Sequence, residues 1–280
     1  MLAKLLVHFY LFVHGKLHLP GAGWLIRRSV RFVKGLQDYP LAIPGVGTVR
    51  LDFRDDSALG MLNVFLGEQG DLAPLIRWLK VSLNPGAVLW DVGANFGLLD
   101  LWVVRNHPDL GSLHAFEPNP QALRSLQSLF QDHPKVRIHP VGLGARDETL
   151  ELNVPRAGSL VGSLVRTFEG ADRIRVRIRR GDAYCAECQL PAPQVIKIDV
   201  EGFEPQVFDG LGETIRRHRP VIFFEHVFLT EEQIKSLTPP DYSLRLVLDS
   251  GELTGDWQRR NEGHDAVLIP VEQEARWPAG

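Results

Sequence analysis

The stretch Ala87-Val88-Leu89-Trp90-Asp91-Val92-Gly93-Ala94-Asn95-Phe96-Gly97 decides the fold. Val88, Leu89, Trp90 and Val92 make the short apolar run of a strand covered on both faces, and Gly93 and Gly97 bracket a turn ahead of a helix. Glycine in such a turn lets the backbone come close to a ligand. An acid, Asp91, stands where the strand ends.

Outward from this stretch, strands and helices alternate. The pattern predicts strands over 87–92, 112–116, 136–141, 194–199, 220–225, 243–249 and 265–269, with helices over 95–106, 118–131, 203–217 and 230–237. Helices between successive strands imply right-handed crossovers, and so a doubly wound, mostly parallel, seven-stranded α/β sheet. Residues 147–181 break the rhythm: Leu150, Leu152 and Val154, then Ile174, Val176 and Ile178, alternate with polar residues and predict an antiparallel insertion at a sheet edge. Upstream, Leu72, Leu75, Ile76, Leu79 and Leu83 mark an amphipathic helix stopped at Asn84-Pro85-Gly86, and residues 44–53 suggest a small strand or hairpin. The expected division is an accessory segment at 1–79, a catalytic domain at 80–272 and a tail at 273–280.

In a doubly wound sheet, ligands gather outside the carboxyl ends of the strands. Those ends are repeatedly acidic here: Asp91, Glu117, the pair Asp199 and Glu201, and Glu225 followed by His226. A carboxylate at Asp91 would repel a pyrophosphate but suits a ligand carrying an amino group and a sulfonium. The turn therefore favours S-adenosylmethionine over a dinucleotide, and Asn95 stands where a G-x-G-x-x-G signature needs its middle glycine. Glu117, 24 residues after Gly93, is placed to accept hydrogen bonds from both hydroxyls of a ribose. Pro118 opens the next helix, and Asn119 with Gly142 and Leu143 suits the adenine side. Lys197 should share a strand face with Asp199 and pair with a rim carboxylate.

Composition bounds the rest. The chain has 280 residues and 44% hydrophobic content, enough for one large domain with an ordinary core. Its net charge of −3 hides an asymmetry: Lys4, Lys16, Arg27, Arg28, Arg31 and Lys34 put +6 on residues 1–37, which hold no acid, and leave −9 on the remainder. Leu2, Leu5, Leu6, Phe9, Phe12 and Val13 recur near helical spacing, with Trp24, Leu25, Phe32 and Val33 among the basic residues that follow. This fits a helical cap on the catalytic domain or peripheral contact with an anionic membrane, and the apolar run is too short to span a bilayer. Nucleic acid is not an expected partner, since no aromatic stacking platform accompanies the basic residues. Cys185 and Cys188 are the only cysteines, which excludes a disulfide framework and fits a cytoplasmic, reducing setting. No metal motif is legible in the spacing of the acids. Trp24, Trp257 and Trp277 could stack on a sugar, although packing explains each as well. Nothing in the sequence indicates an oligomeric state.

Three motifs together resemble one family: Asp-Val-Gly-Ala-Asn-Phe-Gly at 91–97, Phe-Glu-Pro-Asn-Pro at 116–120, and Lys-Ile-Asp-Val-Glu-Gly at 197–202 followed by Glu204. In order and spacing they are similar to the FkbM-type methyltransferases, and Gly-Glu-Gln-Gly at 67–70 resembles the stretch ahead of that domain. The resemblance implies a class I, Rossmann-like fold that binds S-adenosylmethionine and methylates a hydroxyl on a sugar, glycan or secondary metabolite. It implies that Asp91, Gly93, Ala94, Asn95 and Gly97 line the methionine end, that Glu117 takes the ribose, and that Asp199 and Glu201 flank the transferring methyl. Asp199 is then a cofactor-facing or acceptor-orienting group, Glu201 the base candidate and His226 the alternative base. The rival expectation is a non-catalytic, methyltransferase-like scaffold or nucleoside-binding module at a membrane surface.

Overall fold

In the computed structural model, which describes residues 1–13, 22–43, 47–51, 53–54, 73–154, 162–167 and 170–277, two short helices, Leu2–Leu11 and Ala22–Ser29, precede a hairpin of β1 (Tyr39–Ile43) and β2 (Gly47–Leu51). The hairpin begins ahead of the expected 44–53 span, since Tyr39 and Leu41 already alternate inward to meet Val49 and Leu51. The Gly67–Gly70 stretch lies outside the described residues. The helix Ala73–Ser82 then packs Leu75, Trp78 and Leu79 inward and hands the chain to the main sheet.

That sheet is built from β3 (Val88–Val92), β4 (Ser112–Phe116) and β5 (Val136–His139), and from later strands described below. After β5 come β6 (Gly142–Gly144), β7 (Glu148–Val154) and β8 (Asp172–Arg180), which form a separate three-stranded sheet in the order β6-β8-β7. β7 and β8 pair antiparallel as expected, yet they do not extend the main sheet, because β8 takes the short β6 as its parallel partner. The chain re-enters the main sheet through β9 (Val195–Ile198) and β10 (Val221–Glu225), and ends with β11 (Tyr242–Val247), β12 (Leu253–Thr254) and β13 (Asp265–Pro270).

The order across the main sheet is β12-β11-β13-β10-β9-β3-β4-β5, with β5, β4, β3, β9 and β10 parallel and the others antiparallel. The eighth strand, beyond the expected seven, is the two-residue β12 at one edge. Strand alternation separates two cores. Leu89, Leu113, Val195, Phe223 and Val267 face a layer of helices that includes Ala73–Ser82, Leu98–Asn106 and Pro120–Phe130. Trp90, Phe116, Ile196, Ile222 and Leu268 face the other layer, which contains the helices Gly181–Glu187, Glu204–Gly210 and Gly212–His218 together with the small sheet.

The single helix expected over 203–217 is broken at Leu211. A Cβ on Gly210 would lie 2.0 Å from the Gly144 carbonyl oxygen, so close backbone contact with β6 sets the break. The N-terminal elements belong to the first core, which runs from Val7 through Leu36 and Leu75 to Trp277. The expected tail is also packed: the Trp277 ring stacks on Trp78 with centroids 5.5 Å apart.

Candidate active site

The carboxyl ends of β3, β4, β9 and β10 open onto a cleft of about 290 Å³. Its wall includes Gly93, Asn95, Glu117, Pro118, Asn119, Gly142, Asp199 and Glu201, all of them singled out from the sequence. Asp91, Ala94, Gly97 and His226 are not part of the lining.

The turn after β3 explains two of these positions. Gly93 has φ 87°, and a Cβ there would sit 1.8 Å from the Asp199 carbonyl oxygen, so only glycine lets β3 and β9 end side by side. Gly97, at φ 76°, is a packing glycine instead: its Cβ would meet Leu126 and Phe130 at 2.6 and 2.7 Å. Its expected place against a ligand is thus corrected to the helix-facing side of the turn. Asn95 and Glu201 also hold positive φ, of 52° and 56°, backbone strain of the kind that gathers at functional sites.

Glu117 receives two backbone donors. Its Oε2 accepts from Asn95 N at 2.8 Å and its Oε1 from Asn119 N at 2.7 Å. Each oxygen keeps acceptor capacity for a further donor. Burial pushes its pKa up to about 7, against the opposing pull of those two N–H groups and of Lys197.

Asp91 is fully buried behind the cleft wall rather than in it. Its register partner across β3 and β9 is Lys197. The Lys197 ammonium lies 3.3 Å from Asp91 Oδ1, 3.2 Å from Asp199 Oδ2 and 3.3 Å from the Gly93 carbonyl oxygen. Burial works against the Lys197 charge, but Asp199 and Asp91 outweigh it and hold its pKa above the ordinary value. Asp100, on the helix over this face, is buried beside them, and burial with the nearby Asp91 carboxylate raises its pKa well above the usual range. The buried acids Asp91 and Asp100 and the cleft-facing Asp199 thus all centre on the Lys197 ammonium.

The far side of the cleft is acidic in a way the sequence had signalled only in part. Asp199, Glu201 and Glu225 present carboxylate oxygens within 4.8 Å of one another, the one such cluster among the described residues. Burial and the Asp199 charge push Glu201 up to about 7, while the Arg166 guanidinium, 3.3 Å from its Oε2, pulls the other way. Glu225 is pushed up to about 10 by burial and by the Asp199, Glu201, Glu204 and Asp265 carboxylates. It carries its proton at neutral pH. Glu204 is buried beneath this turn, its Oε1 accepting from Val200 N and Gly202 N.

His226 is not part of the cleft lining. Its ring is buried and the lining passes from Glu225 to His264 and Asp265 without it, so it does not stand where the alternative base was expected. The backbone places His264 there instead, by pairing the His226 N–H with the His264 carbonyl oxygen at 2.9 Å. His264, Asp265, Leu152 and Leu164 are lining residues the sequence reading missed. Only Leu152 carried a signal, its alternation in β7.

Residues Gly162–Thr167 cross this end of the cleft. Ser163 Oγ donates to the Glu201 carbonyl oxygen at 2.8 Å and accepts from Arg166 N at 2.9 Å. The Arg166 guanidinium also lies over the Phe228 ring, 4.1 Å from its centroid. Cys185 is buried in the helix Gly181–Glu187 and Cys188 is exposed, and both are free thiols.

Residues 91–257 match the family model described as Methyltransferase FkbM domain. The hexuronic acid methyltransferase AglP of Haloferax volcanii is 27% identical over 199 residues, covering 69% of this chain and 74% of that protein. The 2-O-methyltransferase NoeI of Sinorhizobium fredii is 27% identical over 206 residues, covering 66% and 80% respectively. Among solved structures, the crystal structure of a methyltransferase FkbM from Methylobacillus flagellatus KT aligns with a TM-score of 0.45 at 17% identity, covering 88% of this chain and 60% of that one.

Proposed function

Since this chain belongs to the Methyltransferase FkbM domain family and is a methyltransferase, we propose that it transfers the methyl group of S-adenosylmethionine to a hydroxyl oxygen of a sugar, a glycan or another small hydroxylated metabolite. The observation that carries the reading is the pairing, across one cleft, of a ribose-type carboxylate, Glu117, with the Asp199 and Glu201 pair. The names of the relatives, a hexuronic acid methyltransferase and a 2-O-methyltransferase, support a sugar-type hydroxyl. The free thiols Cys185 and Cys188 suit a reducing compartment such as the cytoplasm.

The residues present fit the cofactor. The Gly93 approach leaves no room for a side chain, and the Glu117 oxygens keep acceptor sites for a diol. Gly93, Asn95, Glu117, Pro118, Asn119, Gly142 and Asp199 would hold it. When bound, the cofactor supplies an electrophilic methyl carbon on a sulfonium. This chain's residues orient the acceptor and take its proton. Holding the acceptor oxygen in line and close supplies much of the rate. Glu201, with its pKa pushed up to about 7, is poised to accept the hydroxyl proton near neutral pH. Glu225, protonated beside it, donates rather than accepts hydrogen bonds. Asp199, held by Lys197, orients the acceptor or the cofactor.

Calorimetric titration with S-adenosylmethionine, S-adenosylhomocysteine and NAD tests the reading. Binding of the two adenosyl ligands but not NAD, lost in Glu117→Ala, is the expected result. A folded protein that binds neither adenosyl ligand would instead be the scaffold alternative. With binding in hand, methyl transfer to uronic acids and other hydroxylated sugars is the assay for the acceptor.

A further inference from the structure

We propose that the outer face of the N-terminal helix docks this protein onto an anionic lipid surface. The helix Leu2–Leu11 is apolar on two sides. Its inner stripe, with Val7 and Tyr10 buried, packs on Ile26, Val30 and Leu36 and completes the first core. A helix whose inner stripe is so satisfied ordinarily turns polar residues outward. Here Leu2, Leu5, Phe9 and Phe12 point outward, each more than half exposed. Their spacing of three, four and three residues puts them on one helix face, and Phe12 keeps helical dihedrals past the last full turn. Trp24, 61% exposed, and Phe32, 85% exposed, add two aromatic rings to the same N-terminal unit. An apolar surface of this extent marks an interaction site.

Charge selects the occupant. Residues 1–37 carry six basic side chains and no acid. Lys4, Arg28, Arg31 and Lys34 of this unit are exposed, and Arg28 lies 5.4 Å from the centroid of the Trp24 ring. Two copies of such a basic unit would bring like charges together, whereas an anionic bilayer meets both the apolar stripe and the exposed basic side chains. No helix among the described residues is long and apolar enough to cross a membrane, so the contact lies in the interface plane.

Flotation of the full chain with vesicles tests this without any reliance on methyl transfer. The chain should float with vesicles of phosphatidylcholine and phosphatidylglycerol, less with phosphatidylcholine alone, and less as salt is raised. Leu5→Glu combined with Phe9→Glu should abolish flotation. Lys4→Ala and Arg31→Ala should each lower partition onto the anionic vesicles about fivefold and leave the residual binding to phosphatidylcholine unchanged. All three variants alter exposed side chains, so thermal melting and adenosyl-ligand binding should stay as in the parent chain. Absence of flotation in the parent chain overturns the proposal, as does flotation that survives the Leu5→Glu, Phe9→Glu variant or that neither Lys4→Ala nor Arg31→Ala lowers. A parent dimer in light scattering that becomes monomeric in the Leu5→Glu, Phe9→Glu variant would also overturn it, reassigning the face to self-association.

Discussion

Lys197 shows how much one side chain can organise. It sits between Asp91 and Asp199, with the Gly93 carbonyl as a third acceptor, and so ties the acid at the end of β3 to the acid facing the cleft. Lys197→Met should cost about 3 to 5 kcal/mol, because removing one partner strands two carboxylates; chemical denaturation measures it. Glu117 makes a sharper case. Its pKa of about 7 is that of a buried acid whose desolvation outweighs the support of two backbone donors and the nearby Lys197 charge. Ribose hydroxyls favour the ionised form, so affinity for an adenosyl ligand should rise with pH up to about 7 and level off above it. Glu117→Gln should flatten that profile and weaken binding about 10- to 100-fold, read by calorimetry across pH. Glu117 and Asp199 were legible in the sequence because strand ends in this architecture face the ligand. The true place of Asp91 was not, since which residue stands opposite it depends on the register of a strand a hundred residues away.

Among elements, the segment Gly162–Thr167 matters most to the chemistry. Ser163 pins it to the turn that carries Glu201, and Arg166 sets the charge there. Ser163→Ala should lower kcat while sparing adenosyl-ligand affinity, since the lost hydrogen bonds lie on the acceptor side; steady-state kinetics beside calorimetry separates the two. Arg166→Ala removes the cation that lowers the Glu201 pKa, so the acid limb of the pH–rate profile should move to higher pH. The alternation of β7 and β8 was readable as an antiparallel pair, but not its assignment to a separate sheet. That assignment follows from the three-residue β6, too short to leave a periodic signal. The break at Leu211 was equally silent, because it answers to the approach of Gly210 to Gly144, a contact between distant segments.

For the whole molecule, buried titratable groups set the pH dependence of stability. Burial lowers the pKa values of His114, His139 and His226 to about 4, so below about 6.5 the unfolded chain binds more protons at these sites and they favour folding as pH rises. Glu117, Glu201 and Glu225 act in the opposite sense. Their pKa values, of about 7, 7 and 10, lie above the unfolded value, so the folded state holds extra protons and its stability falls as pH rises through that range. Above about 6.5 the histidines no longer titrate in either state, and the carboxyls decide the sign. The Tm of the ligand-free protein should therefore decline from near-neutral to alkaline pH, and Glu225→Gln should make the decline shallower in calorimetric scans. The parallel order of the sheet was legible from strand and helix alternation. The inclusion of N-terminal residues such as Val7, Ile26, Leu36 and Leu75 in its core was not, because such apolar positions read equally well as packing or as surface. The stacked indoles of Trp78 and Trp277 join an early helix to the end of the described chain, 5.5 Å apart and 25° from parallel. Indole transition dipoles that close couple, so the protein carries its own optical gauge: a split far-ultraviolet dichroism band that disappears when either end of this pairing lets go.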